Sequence, residues 1–134
     1  MKPHLHEEID RVYGAMKRRD MAALQQFGRD HPGFSWESSG DELDSPGRLH
    51  GAGLRTYWRD VFALFDELET EVLEWIDLDP DHVVCLVRHR VRGATSGVRV
   101  DREEVHLWTA QGDRLESLRE FGTVDEARGA AVDT

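Results

Sequence analysis

Cysteine is nearly absent. Cys85 is the only one in 134 residues, so no disulfide forms within the chain, and its place in the apolar run VVCLV marks it as a small buried hydrophobe. Basic charge is scarce too: 17 Lys and Arg against 27 Asp and Glu leave a net charge of −10. A nucleic-acid partner needs a basic face that releases counterions, and no such face is visible; an anionic membrane surface is likewise disfavoured. No run approaches 18 apolar residues, so a membrane-spanning helix is not expected. The opening MKPHLHEEID has no apolar core of a signal peptide, which points to the cytoplasm. There is no HExxH, no CxxC and no glycine-rich phosphate loop, and Ser38 and Ser39 lack a nucleophile-elbow context. Neither a metal nor a cofactor is therefore expected.

What the chain does have is bulky apolar material, with 4 Trp and 5 Phe. Its length fits a single domain over residues 1–134 that buries roughly 68% of its unfolded surface. Leu5, Ile9, Val12 and Met16 recur at helical spacing, bordered by Tyr13. Asp20 is placed to cap a second helix carrying Met21, Leu24 and Phe27, with Gly28 placed to end it. HPGFSWESSG reads as a short strand. The following SGDELDSPGRLHGAG is loop by composition, long enough at about 15 residues to act as a lid. Leu54, Trp58, Val61, Phe65 and Leu68 predict a third helix over LRTYWRDVFALFDEL.

Beyond that helix the period shifts toward two. Strands are expected in ETEVLEWIDL, HVVCLVRHRVRG, VRVDREEVHLWTA and RLESLREFG, joined by the turn sequences DPD, ATSG and QGD. TVDE then forms a capping box for a last short helix, with Thr123 and Glu126 as its two members. Helices segregated from a strand meander mean an α+β fold, a curved antiparallel sheet wrapped around three helices with a cavity on its concave side.

This order, and the strings WESSGDELDSPGRLHGAGLRTYW, VVCLVRHRVRGATSGVRVD, HLWTAQGDRLESLREF and DEARGA, resemble the SnoaL-like family. That family belongs to the cone-shaped superfamily of nuclear transport factor 2, ketosteroid isomerase and limonene epoxide hydrolase. The resemblance implies the cone fold. It leaves function open among isomerases, cyclases, hydrolases, dehydratases and non-catalytic binding or assembly domains. Carried over by position, the first-strand acid of the isomerase falls on Ser38, and its buried hydrogen-bonding acid on His106. The isomerase tyrosine of the first helix falls beside Tyr13. The two carboxylates of the epoxide hydrolase fall on His89 and Glu120, and its arginine on Val87. These departures disfavour both chemistries and leave the polyketide-cyclase pattern, an acid and a histidine on late strands.

His106, Glu120 and His89 are thus the candidate catalytic residues. Alternation puts Glu120 on the side of Leu118, and a carboxylate beside aromatics gains a raised pKa suited to proton transfer. The competing reading pairs Glu120 with an arginine, Arg88 or Arg119 of a neighbouring chain, and makes the histidines structural. His89, His106 and Glu120 form a two-histidine, one-carboxylate set in principle, but nothing in their spacing demands a metal. Trp36, Ser38, Trp58, Trp108, Tyr13, Glu104 and Leu118 are the candidate ligand contacts; core packing is the alternative for the aromatics. Glu104 shares the face of His106 but is expected nearer the cavity mouth. The partner implied is a small hydrophobic ligand. The alternating Arg88, Arg90 and Arg92 suggest a homodimer in which they meet Glu69 or Glu71 of a second copy. The function expected is small-molecule binding in a cone with cofactor-independent acid–base chemistry, or binding and dimerisation without chemistry.

Overall fold

A computed structural model describes residues 1–38 and 47–133. The acidic core of the expected lid loop lies outside the described residues. Helix α1, Pro3–Arg18, begins on Pro3, whose fixed φ suits a first turn and whose missing N–H costs no bond there. Its buried stripe is Leu5, Ile9, Val12, Tyr13 and Met16. Arg19 ends it in the left-handed region at φ 57° and returns its N–H to Met16 O. The Asp20 side chain accepts from Ala23 N at 3.0 Å, opening α2, Met21–Asp30. That helix runs through Gly28, which does not end it.

Two short strands follow, β1 (Ser35–Glu37) and β2 (Arg48–His50), paired antiparallel. The second, Arg48–His50, lies within the segment whose composition reads as loop. Helix α3, Gly51–Leu64, is shorter than its apolar stripe suggested. Phe65 and Leu68 belong instead to β3, Phe65–Asp79. Residues three apart share a helix face but fall on opposite faces of a regular strand; the register shift between Phe65 and Glu67 lets both line the same cavity. Strands β4 (His82–Gly93), β5 (Arg99–Gln111) and β6 (Arg114–Phe121) complete a meander.

The sheet order is β2-β1-β6-β5-β4-β3. The meander is antiparallel, but β1 pairs with β6 in parallel, so the sheet is mixed rather than wholly antiparallel. Helix α4, Val124–Val132, starts with the expected capping box: Thr123 Oγ1 accepts from Glu126 N and donates to Glu126 Oε1.

The curved sheet has two covered faces. On the concave side α1, α2 and α3 pack Ile9, Val12, Leu24 and Trp58 against Val83, Val87, Trp108 and Leu118. On the convex side α4 sets Ala127 and Ala131 on Val84, Val105 and Leu107. This explains why β5 is apolar on both sides. The strand arginines on the convex side find acids in their own chain. Arg88 pairs with Asp101 at 2.6 Å, and Arg92 with Asp66 at 2.7 Å and Glu67 at 3.2 Å.

Candidate functional site

The concave side chains of β4, β5 and β6 are set by strict alternation and by register. Cys85, His106 and Glu120 stand opposite one another across three strands, and Val87 stands opposite Glu104. His89 stands opposite Arg102 on one side and Thr70 of β3 on the other. The His89 ring can therefore reach diagonally to Glu104. Helix α1 lays Tyr13 over this patch, its ring stacked on His106 at a centroid distance of 5.8 Å and edge-on to Trp108 at 5.7 Å.

Glu104 is the hub. Its Oε2 takes His106 Nε2 at 3.0 Å and His89 Nε2 at 3.0 Å, and its Oε1 takes the Arg102 guanidinium. The far nitrogens of both imidazoles are also held: His106 Nδ1 lies 2.7 Å from Tyr13 Oη, and His89 Nδ1 lies 3.0 Å from Thr70 Oγ1. Trp108 Nε1 donates to Tyr13 Oη at 2.9 Å.

These contacts fix the direction of the protons. Burial pushes the Glu104 carboxyl up, but the hydrogen bonds it receives from His106 and His89 outweigh it and hold the carboxyl well below the usual range. Glu104 is thus an anion that can only accept, so both Nε2 atoms carry hydrogen. Burial lowers the pKa of His106 despite the opposite pull of Glu104, so its ring is neutral and Nδ1 is an acceptor. The Tyr13 hydroxyl must then donate to it, and burial raises that phenol well above its ordinary value. A one-way chain results: Trp108 Nε1–H to Tyr13 Oη–H to His106 Nδ1, and His106 Nε2–H to Glu104. Cys85 lies beside Tyr13, and burial pushes its thiol up to about 12, so it is no thiolate nucleophile.

A cavity of about 310 Å³ opens on this patch, at the lower end of ordinary ligand pockets. Its wall includes Trp36, Trp58, Val61 and Leu68, with Ser38, His89, Arg102, Glu104 and Glu120 as the polar groups. Trp36 Nε1 and Trp58 Nε1 are buried, with no hydrogen-bond partner among the described residues. A separate cleft of about 390 Å³ between α2 and α3 is lined by Leu24, Phe27, Arg29 and Arg55, with no carboxylate among its described lining residues.

The structure thus divides the residues singled out from sequence. His89, Glu120, Trp36, Ser38, Trp58 and Glu104 reach the cavity wall. His106, Trp108, Tyr13 and Leu118 lie beneath it; His106, Trp108 and Leu118 are 0% exposed. His106 and Glu120 do share the concave face, but the imidazole bonds Glu104 and Tyr13 while Glu120 reaches the cavity. Glu104 is not at the mouth: its side chain is 13% exposed at the centre of the cluster. Thr70 and the grip of Arg102 on Glu104 had no place in the sequence reading. The hairpin turn ATSG sets the β4–β5 register, and counting back from it would have placed Glu104 beside His89. Thr70 was hidden by the bulge in β3 after Val72.

No protein-family profile matches the chain, and no curated protein sequence does. Solved structures do match in fold. TerC, crystallised with polyporic acid, superposes with a TM-score of 0.71 at 20% identity, covering 96% of this chain and 97% of that one. A protein with a ketosteroid isomerase-like fold from Catenulispora acidiphila DSM 44928, in complex with trimethylamine, gives 0.71 at 10% identity over 92% and 88%. A protein assigned as a SnoaL-like polyketide cyclase from Jannaschia sp. CCS1 gives 0.66 at 19% identity over 90% and 88%. At these identities the likeness is one of architecture.

Proposed function

From the nuclear transport factor 2-like cone that this chain adopts, shared with ketosteroid isomerase-like and SnoaL-like proteins, we propose that it binds a small, largely apolar molecule and moves a proton on it. Glu120 is the group that gives and takes the proton. The reaction class is isomerisation, cyclisation or dehydration without a redox step. The observation that carries this reading is the meeting of Glu120, His89 and Glu104, with Arg102 and Ser38, on a cavity wall that is mostly aromatic and aliphatic. Cavities that bind small molecules combine apolar walls with a few fixed polar groups, and proton transfer needs an ionisable side chain within reach of the ligand.

Glu104 is poorly suited to be the base itself. Both its oxygens accept hydrogen bonds, and it is held as a very weak proton acceptor. It supplies a fixed negative charge and orients His89.

Two probes test the proposal in chelator-containing buffer. Polyporic acid, the compound bound by the TerC neighbour, is titrated while tryptophan fluorescence is followed; Val61→Trp, which fills the cavity, is expected to abolish saturable binding. 2-Tetralone, an apolar ketone with exchangeable α-hydrogens, is incubated in D2O and followed by proton NMR. Wild type is expected to exchange those hydrogens faster than buffer, and Glu120→Gln to lose at least ~100-fold of that rate while still binding. Exchange at the buffer rate, or unchanged in Glu120→Gln, rejects the chemistry. A second reading, binding without catalysis, draws on the complete internal pairing of the Glu104 cluster. Its signature is saturable binding with no exchange.

A further inference from the structure

The geometry points to a divalent transition-metal site made by His89, Glu104 and His106. It goes beyond the proton-transfer reading and does not rest on it, since Glu120 is not among the ligands. Nε2 of His89, Nε2 of His106 and a Glu104 oxygen all lie within 4.8 Å of one another. Each imidazole nitrogen is 3.0 Å from the same carboxylate oxygen. Bonds of about 2.0–2.1 Å from nitrogen or oxygen to a metal give neighbouring ligand atoms separations of about 3 Å, so the edges of a coordination polyhedron are already present. Two imidazoles and one carboxylate suit Zn²⁺, Co²⁺ or Fe²⁺ better than Mg²⁺ or Ca²⁺, which prefer all-oxygen ligands.

The surroundings are those of a metal site as well. A ligating histidine normally gives its second ring N–H to an oxygen, which fixes the ring and raises its basicity. Here Tyr13 Oη waits at His106 Nδ1 at 2.7 Å, and Thr70 Oγ1 at His89 Nδ1 at 3.0 Å. Arg102 holds the carboxylate oxygen that the imidazoles do not use, as outer groups commonly do for a ligating carboxylate. The Arg102 charge opposes a cation, but its side chain is 49% exposed and therefore screened.

Binding needs no covalent step. Each ring exchanges its Nε2 hydrogen for one on Nδ1, and the freed Nε2 lone pair goes to the metal. Tyr13 then accepts from both His106 and Trp108 and turns its own hydrogen toward Cys85, its remaining hydrogen-bond neighbour. His89 and Glu104 line the cavity while His106 lies behind them. The open coordination positions of the ion therefore face the ligand space.

The test is Co²⁺ titration of chelator-stripped full-length protein, read by visible absorption, with Zn²⁺ displacement followed calorimetrically. One ion per chain is expected. His89→Ala and Thr70→Val are each expected to weaken uptake at least ~10-fold; circular dichroism checks that both remain folded, and Thr70→Val leaves every ligand in place. A His4→Ala/His6→Ala double variant controls for the surface histidines near the amino terminus and is expected to bind as wild type does. Absence of saturable uptake by wild type, uptake undiminished in His89→Ala and Thr70→Val, or loss of uptake in the double variant each overturns the site. The ketone and polyporic acid assays are run in chelator, so failure of the metal site leaves the proposed function standing, and the converse holds.

Discussion

Replacing Tyr13 by Phe removes one oxygen from the middle of the protein and leaves the ring in place. That oxygen serves two buried groups at once, accepting from Trp108 Nε1 at 2.9 Å and donating to His106 Nδ1 at 2.7 Å. Trp108 and His106 are both 0% exposed, so water cannot replace the lost partner without opening the core. A buried donor or acceptor left unsatisfied costs about 1–3 kcal/mol, so the pair should cost about 2–6 kcal/mol. The gain from burying a slightly more apolar ring offsets part of this, and about 2–4 kcal/mol is the expected net loss. That is a large share of the roughly 5–15 kcal/mol by which domains of this kind are stable. His106 cannot escape by switching tautomer, because its Nε2 hydrogen is committed to the Glu104 anion. Urea unfolding followed by tryptophan fluorescence measures the effect as a lower midpoint with an unchanged slope. A loss below ~0.5 kcal/mol would mean that the hydroxyl does not link the two rings, and the one-way proton chain would fall with it.

Acid should lower the stability of the fold through two groups in turn. The folded pKa of His106 lies below its unfolded value, so the unfolded chain binds more protons as pH drops below about 6.5 and stability declines from there. The folded pKa of Glu104 is likewise depressed, so the stability it contributes is complete above its unfolded value near 4.5 and is lost as pH falls further. Urea midpoints measured between pH 8 and pH 3 should therefore fall continuously, and a flat profile between pH 7 and pH 5 contradicts the buried neutral histidine. At the other end of the fold, Thr123→Ala removes the oxygen that receives Glu126 N at 3.2 Å. It should cost about 1 kcal/mol by the same assay, a cap deletion with no effect on ligand binding.

Much of this architecture could be read directly. The helical stripe of α1, the Asp20 cap, the turns at DPD, ATSG and QGD, and the Thr123–Glu126 box are local signals, each decided within a few residues. The end of α3 was not local. Phe65 and Leu68 continue a helical stripe and would face opposite ways in a regular strand; pairing with β4 through the register shift between Phe65 and Glu67 drew both into the sheet. The parallel partnership of β1 with β6 and the existence of β2 depend on chain segments far apart in sequence. Arginines 88 and 92 were legible as a charged face, but the acids that meet them come from β3 and β5 at distances no spacing encodes.

The amino-acid order by itself determined that this chain is an α+β cone, and that His89, Glu104, His106 and Glu120 alternate onto late strands. Alternation is a property of the extended backbone and needs no partner. Only the tertiary structure decided what each of them does. Tyr13 of α1 covers His106 and takes its outer nitrogen, the β4–β5 register brings Glu104 between two imidazoles, and Glu120 is left facing the hollow. Side chains of one face differ in role through depth and through who reaches them first, and both are set by packing between elements rather than by position along a strand.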